Sequence, residues 1–245
     1  MDLGEQEVRN FIFRGDDLGM DPAIDKAILA AFKVGGVHEA AFLAVGPSAK
    51  QAAASACYAN LPVSLHLAYA SEWDLVRWSS LTGLLDQTNG FLPAHPIVLE
   101  KAPIVDLIAE AKAQAMRTNN LGLTFESFNF HIDCPRVGLA TAIEDALGVP
   151  CRDIPFGRRP NPAWYTSFFD LSSADTVQKE LLLLDFLEKA PAGRHCVVSH
   201  PGSDQASLSK LCSKALPDRR LWAVDYRLSD ASFLTDIKAL KRLGL

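Results

Sequence analysis

Short apolar runs alternate with longer segments of helical spacing along the whole chain. Strands are predicted at 9–14, 37–45, 62–69, 124–133, 149–154 and 195–200. Helices are predicted at 22–34, 47–59, 104–118, 136–147, 175–189 and from Ser229, as N-cap, towards Leu243. The stretches 70–103 and 155–173 lack clear periodicity and are expected to be long connections. The alternation is typical of a parallel sheet flanked by helices, and with no repeat or linker it predicts a single domain over 1–245.

Polar residues stand at four places where an apolar run ends or is interrupted. They are Asp16-Asp17 after FIFRG, His66 in VSLHL, His131 in FNFHID and His200-Pro201-Gly202 after CVVS. The pattern leaves an open sheet and a closed barrel as alternatives. Because these residues come from at least four strand ends, a barrel-like ring that collects them at one edge is favoured. Two His and one or two Asp are a sufficient ligand set for one catalytic metal ion.

Each of these positions also has a structural interpretation. The adjacent carboxylates of Asp16 and Asp17 repel each other unless a cation or a shared proton is present, but they also fit a turn with helix-capping groups before Pro22. His66 alone is more typical of a hydrogen-bonded core histidine. His200, at the boundary between a strand and a loop, is by itself an ordinary loop residue.

The strand around His131 has the strongest independent pattern. Phe128, Phe130 and Ile132 alternate with Asn129, His131 and Asp133. Both faces of a parallel strand are normally apolar, so the polar face must meet water, a metal or a polar network. The alternative is an edge strand with one solvated face.

Composition narrows the class of protein. The 245 residues are 49% hydrophobic and 22% charged with a net charge of −5, as in an ordinary globular protein without a nucleic-acid surface. No apolar segment approaches the ~18 residues needed to cross a membrane, and the first residues lack a secretory pattern. Five cysteines without a CxxC pair favour reduced thiols, so we expect a cytoplasmic protein.

Taken together, these segments resemble the YdjC/ChbG family of carbohydrate deacetylases (YdjC-like proteins). FRGDDLGMDPAID is similar to the family's R-x-D-D-[FL]-G signature, VSLHLAYASEW to its G-[LV]-H-L segment and CVVSHPGSD to its H-P-G segment. The end, RRLWAVDYRLSDASFLTDIKAL, resembles the family's closing pattern, so the likeness spans nearly the whole chain. The family's H-x-D-S-H motif is altered, because Ser127 and Asn129 replace its first His and its Asp.

The resemblance implies a barrel-like, TIM-barrel-like (β/α) fold and a metal-dependent hydrolase that removes an N-acetyl group from an acetylated sugar. Asp17, His66 and His131 would be the metal ligands, Asp16 the base that activates a metal-bound water, and His200 the second catalytic residue. His200 would stabilise the tetrahedral intermediate or protonate the leaving amine. Zinc suits two His and one carboxylate, with magnesium the less natural alternative. Asp133 could compensate for Asn129 or replace a ligand.

Two other functions stay open at this point. One is a metal hydrolase that cleaves another acyl group or a phosphate ester. The other is a family member that binds sugar without turnover, which the altered 127–129 segment motivates. In each case the expected partner is a small carbohydrate or related molecule, with no nucleic acid or membrane, and a homodimer is the family's common assembly.

Overall fold

The computed structural model describes residues 9–69, 102–132, 138–152, 165–168, 176–191, 193–212 and 220–244. Its strands are β1 (Arg9–Leu18), β2 (Glu39–Phe42), β3 (Val63–Leu67), β4 (Phe125–Phe130), β5 (Tyr165–Phe168) and β6 (Gly193–Ser199). Its helices are α1 (Pro22–Lys33), α2 (Ala49–Ala59), α3 (Ile104–Asn120), α4 (Leu139–Leu147), α5 (Thr176–Lys189), α6 (Gln205–Cys212), α7 (Arg220–Thr235) and α8 (Ile237–Leu243).

The strands form one parallel sheet in the order β4-β3-β2-β1-β6-β5. Beyond β4, Cys151 adds a parallel bridge to Phe128. The strands therefore follow their sequence order around a curled, incomplete barrel, and within the described residues the ring is open between Cys151 and β5. This confirms the predicted barrel-like (β/α) fold. In such a fold the carboxyl ends of all strands meet at one edge.

The outer face of the sheet packs on the helices through two apolar clusters. The first cluster includes Phe13 of β1, Phe42 of β2 and Ile28 of α1. Leu65 and Phe128 belong to the second, which includes residues of α3 and α4. Burial of each such side chain contributes about 1.5–3 kcal/mol, so these contacts fix the sheet that carries the site.

Strand β3 separates an apolar from a polar face. All five of its residues are buried. Val63, Leu65 and Leu67 belong to the apolar clusters. Ser64 and His66 alternate with them and therefore point into the barrel.

Three sequence predictions need correction. The stretch 155–173 contains a strand, β5, that its lack of periodicity concealed. The final helix is two helices, and Ser229 lies inside α7, whereas Asp236 caps α8 by accepting from the amides of Lys238 and Ala239. Strand β1 continues through Asp16-Asp17 to Leu18. Asp21 caps α1 by accepting from the amide of Ala23, and Pro22 is the first residue of the helix.

Candidate metal centre

The two adjacent aspartates lie in a β-bulge at the end of β1. Gly15 pairs with Ala40 and Leu18 with Phe42, so two residues of β1 lie opposite Ala41 alone. Asp17 adopts a left-handed conformation, with φ of 73°. In a regular strand, neighbouring side chains point to opposite faces, but a bulge with a left-handed residue re-aims one of them. Both buried carboxylates therefore reach the polar interior.

Asp17 brings together two histidines from neighbouring strands. Its Oδ1 lies 3.3 Å from His66 Nε2 and 3.0 Å from His131 Nδ1. The ligand atoms of the three residues all lie within 4.8 Å of one another. The rings of His66 and His131 meet at 79°, with centroids 5.2 Å apart.

His66 is held by a short polar chain behind it. Its Nδ1 is hydrogen-bonded to Asn129 Oδ1, and Asn129 Nδ2 donates to Ser64 Oγ at 2.8 Å. Because the amide nitrogen is directed at Ser64, the amide oxygen faces His66, and Nδ1 carries the proton. In the neutral ring, Nε2 then has its lone pair directed towards Asp17 and His131, whereas without a metal Asp16 and Asp17 raise the pKa of His66 against the effect of burial.

Each carboxylate of the pair has its own guanidinium. Arg14 Nε donates to Asp16 Oδ1 at 2.6 Å and its NH2 nitrogen to Oδ2 at 3.0 Å. Arg227 donates to Asp17 Oδ2 at 2.5 Å. Burial would raise the pKa of Asp16, but Arg14 and the nearby His66 and His200 lower it. Burial opposes ionisation of Asp17 as well, yet Arg227 and His131 hold its pKa well below the usual range.

His200 lies at the carboxyl end of β6, beside the same carboxylates. Its backbone N–H donates to Asp230 Oδ2 at 2.8 Å, and its ring lies 5.9 Å from the ring of Tyr226. Nδ1 is buried, and among the described residues it has no hydrogen-bond partner. Burial lowers the pKa of His200 despite the pull of Asp17 and Asp16 in the other direction, so the imidazole is neutral near pH 7.

The triad of Asp17, His66 and His131 is compact enough to hold one divalent ion. With metal–ligand bonds of roughly 2.0–2.1 Å, neighbouring ligand atoms lie about 3.3 Å apart, which the Asp17–His distances match. His66 Nε2 is buried with no well-aligned hydrogen-bond partner among the described residues, as expected for a nitrogen whose lone pair is kept for a cation. Two imidazoles and one carboxylate form a donor set common to zinc sites.

A family model for YdjC-like proteins matches residues 10–243. The chain belongs to the YdjC-like protein family. No curated protein matches it. A solved structure described as a putative cellobiose-phosphate cleavage protein from Enterococcus faecalis is 20% identical and has a TM-score of 0.76, with 97% of this chain and 95% of that chain covered. A family 4 carbohydrate esterase from Streptomyces lividans in complex with acetate is 11% identical and has a TM-score of 0.52, with 96% and 90% covered.

The YdjC-like membership and this fold together favour a hydrolase of the carbohydrate deacetylase or esterase type. At such identities the two solved structures show the fold alone. Within the described part of the chain, no helix is both long enough and apolar enough to pass through a bilayer.

The residues that the sequence singled out in this YdjC-like protein can be compared with their positions in the structure. The five predicted site residues come from four different strands or strand ends and lie close together in the structure. They are Asp16, Asp17, His66, His131 and His200. Asn129, which replaces the Asp of the family motif, is hydrogen-bonded to His66 and holds its ring in place. Asp133 lies outside the described residues.

Two further histidines, His38 and His195, have structural roles. His38 Nδ1 accepts the Phe13 amide, and His195, which is buried, bonds the Pro191 carbonyl.

Sequence reasoning missed the contribution of α7. Tyr226, Arg227 and Asp230 are all buried and lie beside Asp17 and His200. The available signal was weak, because 226, 227 and 230 share one helical face with Phe233 and Leu234, which reads as an amphipathic helix with ordinary salt bridges. Arg14 was easier to find, since it stands two residues before Asp16 and therefore on the same face of the strand.

Proposed function

We propose that this protein is a metal-dependent deacetylase that removes an N-acetyl group from an acetylated sugar. The observation that supports it most strongly is the convergence of Asp17, His66 and His131 around one point, with Asp16 and His200 beside them. Asp17 Oδ1, His66 Nε2 and His131 Nδ1 would hold the ion, most naturally zinc. When bound, the ion would polarise the acetyl carbonyl and lower the pKa of a water molecule towards ~7.

Asp16 is the proposed general base. It is ionised because the charge and hydrogen bonds of Arg14 lower its pKa against the effect of burial. Each of its oxygens accepts one hydrogen bond from Arg14, and each keeps a further lone pair that can take a proton from the attacking water. The fixed guanidinium also holds the carboxylate in one orientation, which general-base catalysis requires.

His200 is the proposed second catalytic residue. As a neutral imidazole it can donate an N–H to the oxygen that becomes negative when the carbonyl is attacked. The negative charge that develops there raises the proton affinity of the ring, so His200 can take up the proton that Asp16 removed from the water and deliver it to the departing amine. The backbone amide of His200 donates to Asp230, and this hydrogen bond fixes the position of the Cα atom that carries the ring.

The test combines bound metal with acetate release. Purified protein is assayed for divalent metals and, with a panel of N-acetylated sugars, O-acetyl esters and phosphate esters, for product. We expect one equivalent of metal, with Asp17→Asn and His131→Ala losing both metal and activity. Asp16→Asn should retain metal and lose about 10²–10⁴-fold in rate.

Asp21→Asn is the matched control, because it makes the same change four residues from Asp17 at a helix cap that Asn also fills well. It should retain metal and activity. Full metal and full activity in Asp17→Asn and His131→Ala would overturn the ligand assignment. Turnover of phosphate esters alone would replace the deacetylase with another hydrolase, and sugar binding without any turnover would indicate a binding protein.

A further inference from the structure

The two oxygens of Asp17 have different environments. Oδ1 faces His66 Nε2 and His131 Nδ1, at 3.3 and 3.0 Å. Oδ2 accepts a hydrogen bond from Arg227 at 2.5 Å. Both side chains of this pair are buried, at 2% and 5% exposure, so water does not compete for Oδ2.

Arg227 is itself fixed at the site by its helix. Its carbonyl accepts the Gly202 amide at 2.9 Å, and one turn later Asp230 accepts the His200 amide at 2.8 Å. These two bonds attach α7 to the loop that follows β6. The guanidinium therefore approaches Asp17 from a helix that is held in place independently of the carboxylate.

A carboxylate can ligate a metal through one oxygen or through both. Ligation through both raises the coordination number and suits larger ions such as Ca²⁺, which takes six to eight oxygen ligands at 2.3–2.6 Å. Zinc sites of two His and one carboxylate are four-coordinate with shorter bonds. An arginine that occupies one oxygen leaves a single oxygen for the ion.

We infer that Arg227 is a positioning residue that restricts Asp17 to one metal-facing oxygen and thereby selects a small, four-coordinate ion over a larger one. The inference rests on the proposed function, since it presupposes that Asp17 is a ligand. It adds a determinant of metal choice from a part of the chain distant in sequence from the three ligands.

The experiment compares Arg227→Met, Arg227→Lys and Arg227→Gln with the native full-length protein. Zinc and calcium affinities are measured by competition titration, and the visible spectrum is recorded with Co²⁺, which absorbs far more strongly when four-coordinate than when five- or six-coordinate. In Arg227→Met we expect the ratio of zinc to calcium affinity to fall at least tenfold and the Co²⁺ absorption to weaken.

The other two variants separate charge from hydrogen bonding. Lys keeps the charge as a single point donor, and Gln keeps a donor without charge. If occupation of Oδ2 is what matters, Gln should retain most of the selectivity. Arg242→Met is the matched control, because Arg242 makes a bidentate pair with Glu180 on the surface and its loss should change neither readout.

An unchanged affinity ratio and spectrum in Arg227→Met would overturn the inference. Should that variant fail to fold, as judged by thermal unfolding of the metal-free protein, Arg227→Leu decides, because it also removes the donor to Oδ2, and native selectivity together with a native spectrum there would overturn the inference. Failure of the proposed function gives a different result, because the native protein itself would then bind no zinc at Asp17.

Discussion

Asn129 accepts a hydrogen bond from Nδ1 of His66, and this contact determines which nitrogen of His66 faces Asp17. Ser64 accepts from the other end of the Asn129 amide and so fixes its orientation. A neutral imidazole binds a metal through its unprotonated nitrogen, so the chain from Ser64 to Asn129 prepares His66 as a ligand before any ion arrives.

Replacing Asn129 by Leu should weaken metal binding about 10–100-fold. Leu is close to Asn in size but cannot accept from His66 Nδ1, so the ring loses its fixed tautomer and orientation. Calorimetric titration with zinc measures the effect. Ser64→Ala is the graded comparison, because it leaves the amide oxygen facing His66, and it should cost only a few-fold. Native affinity in Asn129→Leu would contradict this account.

These residues show which parts of the site can be predicted from the sequence. The alternation of Phe with Asn129 and His131 predicted a polar inner face, because strand periodicity is local. The bulge at Asp16-Asp17 was not predictable, since its extra residue follows from the register against Ala41, a pairing between strands. The Arg227–Asp17 contact spans 210 residues and depends on how α7 packs, which no local pattern encodes.

The pH dependence of stability should carry a contribution from Asp25. Burial raises its pKa to about 6, against partial compensation by hydrogen bonds from Ser48 and from the Gly19 amide. A carboxyl whose folded pKa is raised stabilises the fold below its unfolded pKa of 3.8, and this stabilisation is lost as the pH rises through about 6. The loss amounts to roughly 2 kcal/mol between pH 4 and pH 7.

Asp25→Asn isolates that contribution, because Asn cannot titrate and its oxygen can still accept from Gly19. Urea unfolding of both metal-free proteins is measured between pH 4 and pH 7. The free energy of unfolding of the variant should increase relative to that of the native protein as the pH rises. Groups that titrate in both proteins cancel in the difference. A difference that stays constant across this range would exclude the shift.

The buried ion pair between Lys179 and Asp230 should matter far more than a comparable pair on the surface. Both side chains are nearly inaccessible, at 3% and 7% exposure, and Asp230 also holds the His200 amide. Lys179→Met leaves a buried carboxylate without its cation, which should cost about 3–5 kcal/mol in the free energy of unfolding. Lys189→Met breaks an exposed pair with Asp185 on the same helix and should have no measurable effect. Equal effects of the two changes, measured by chemical denaturation, would be inconsistent with this reasoning.

Gly202 should be required for the approach of α7 to the site. A Cβ at this position would lie 2.8 Å from Leu208 Cδ1 and 3.1 Å from Arg227 Cβ. Leu208 is fully buried and Arg227 is anchored to Asp17, so neither can move without cost. We expect Gly202→Ala to reduce stability by about 1–3 kcal/mol and also to weaken zinc binding, because the displaced helix carries Arg227 away from Asp17.

Gly35→Ala separates the two effects. Gly35 has φ of 86° and no atom within 4 Å of its added Cβ, so the change introduces backbone strain of about 1–2 kcal/mol without a clash and away from the site. Both variants should unfold more readily, but only Gly202→Ala should show reduced zinc affinity under conditions where it remains folded. If both lose stability and both bind zinc as the native protein does, the position of α7 does not influence the metal centre through Gly202.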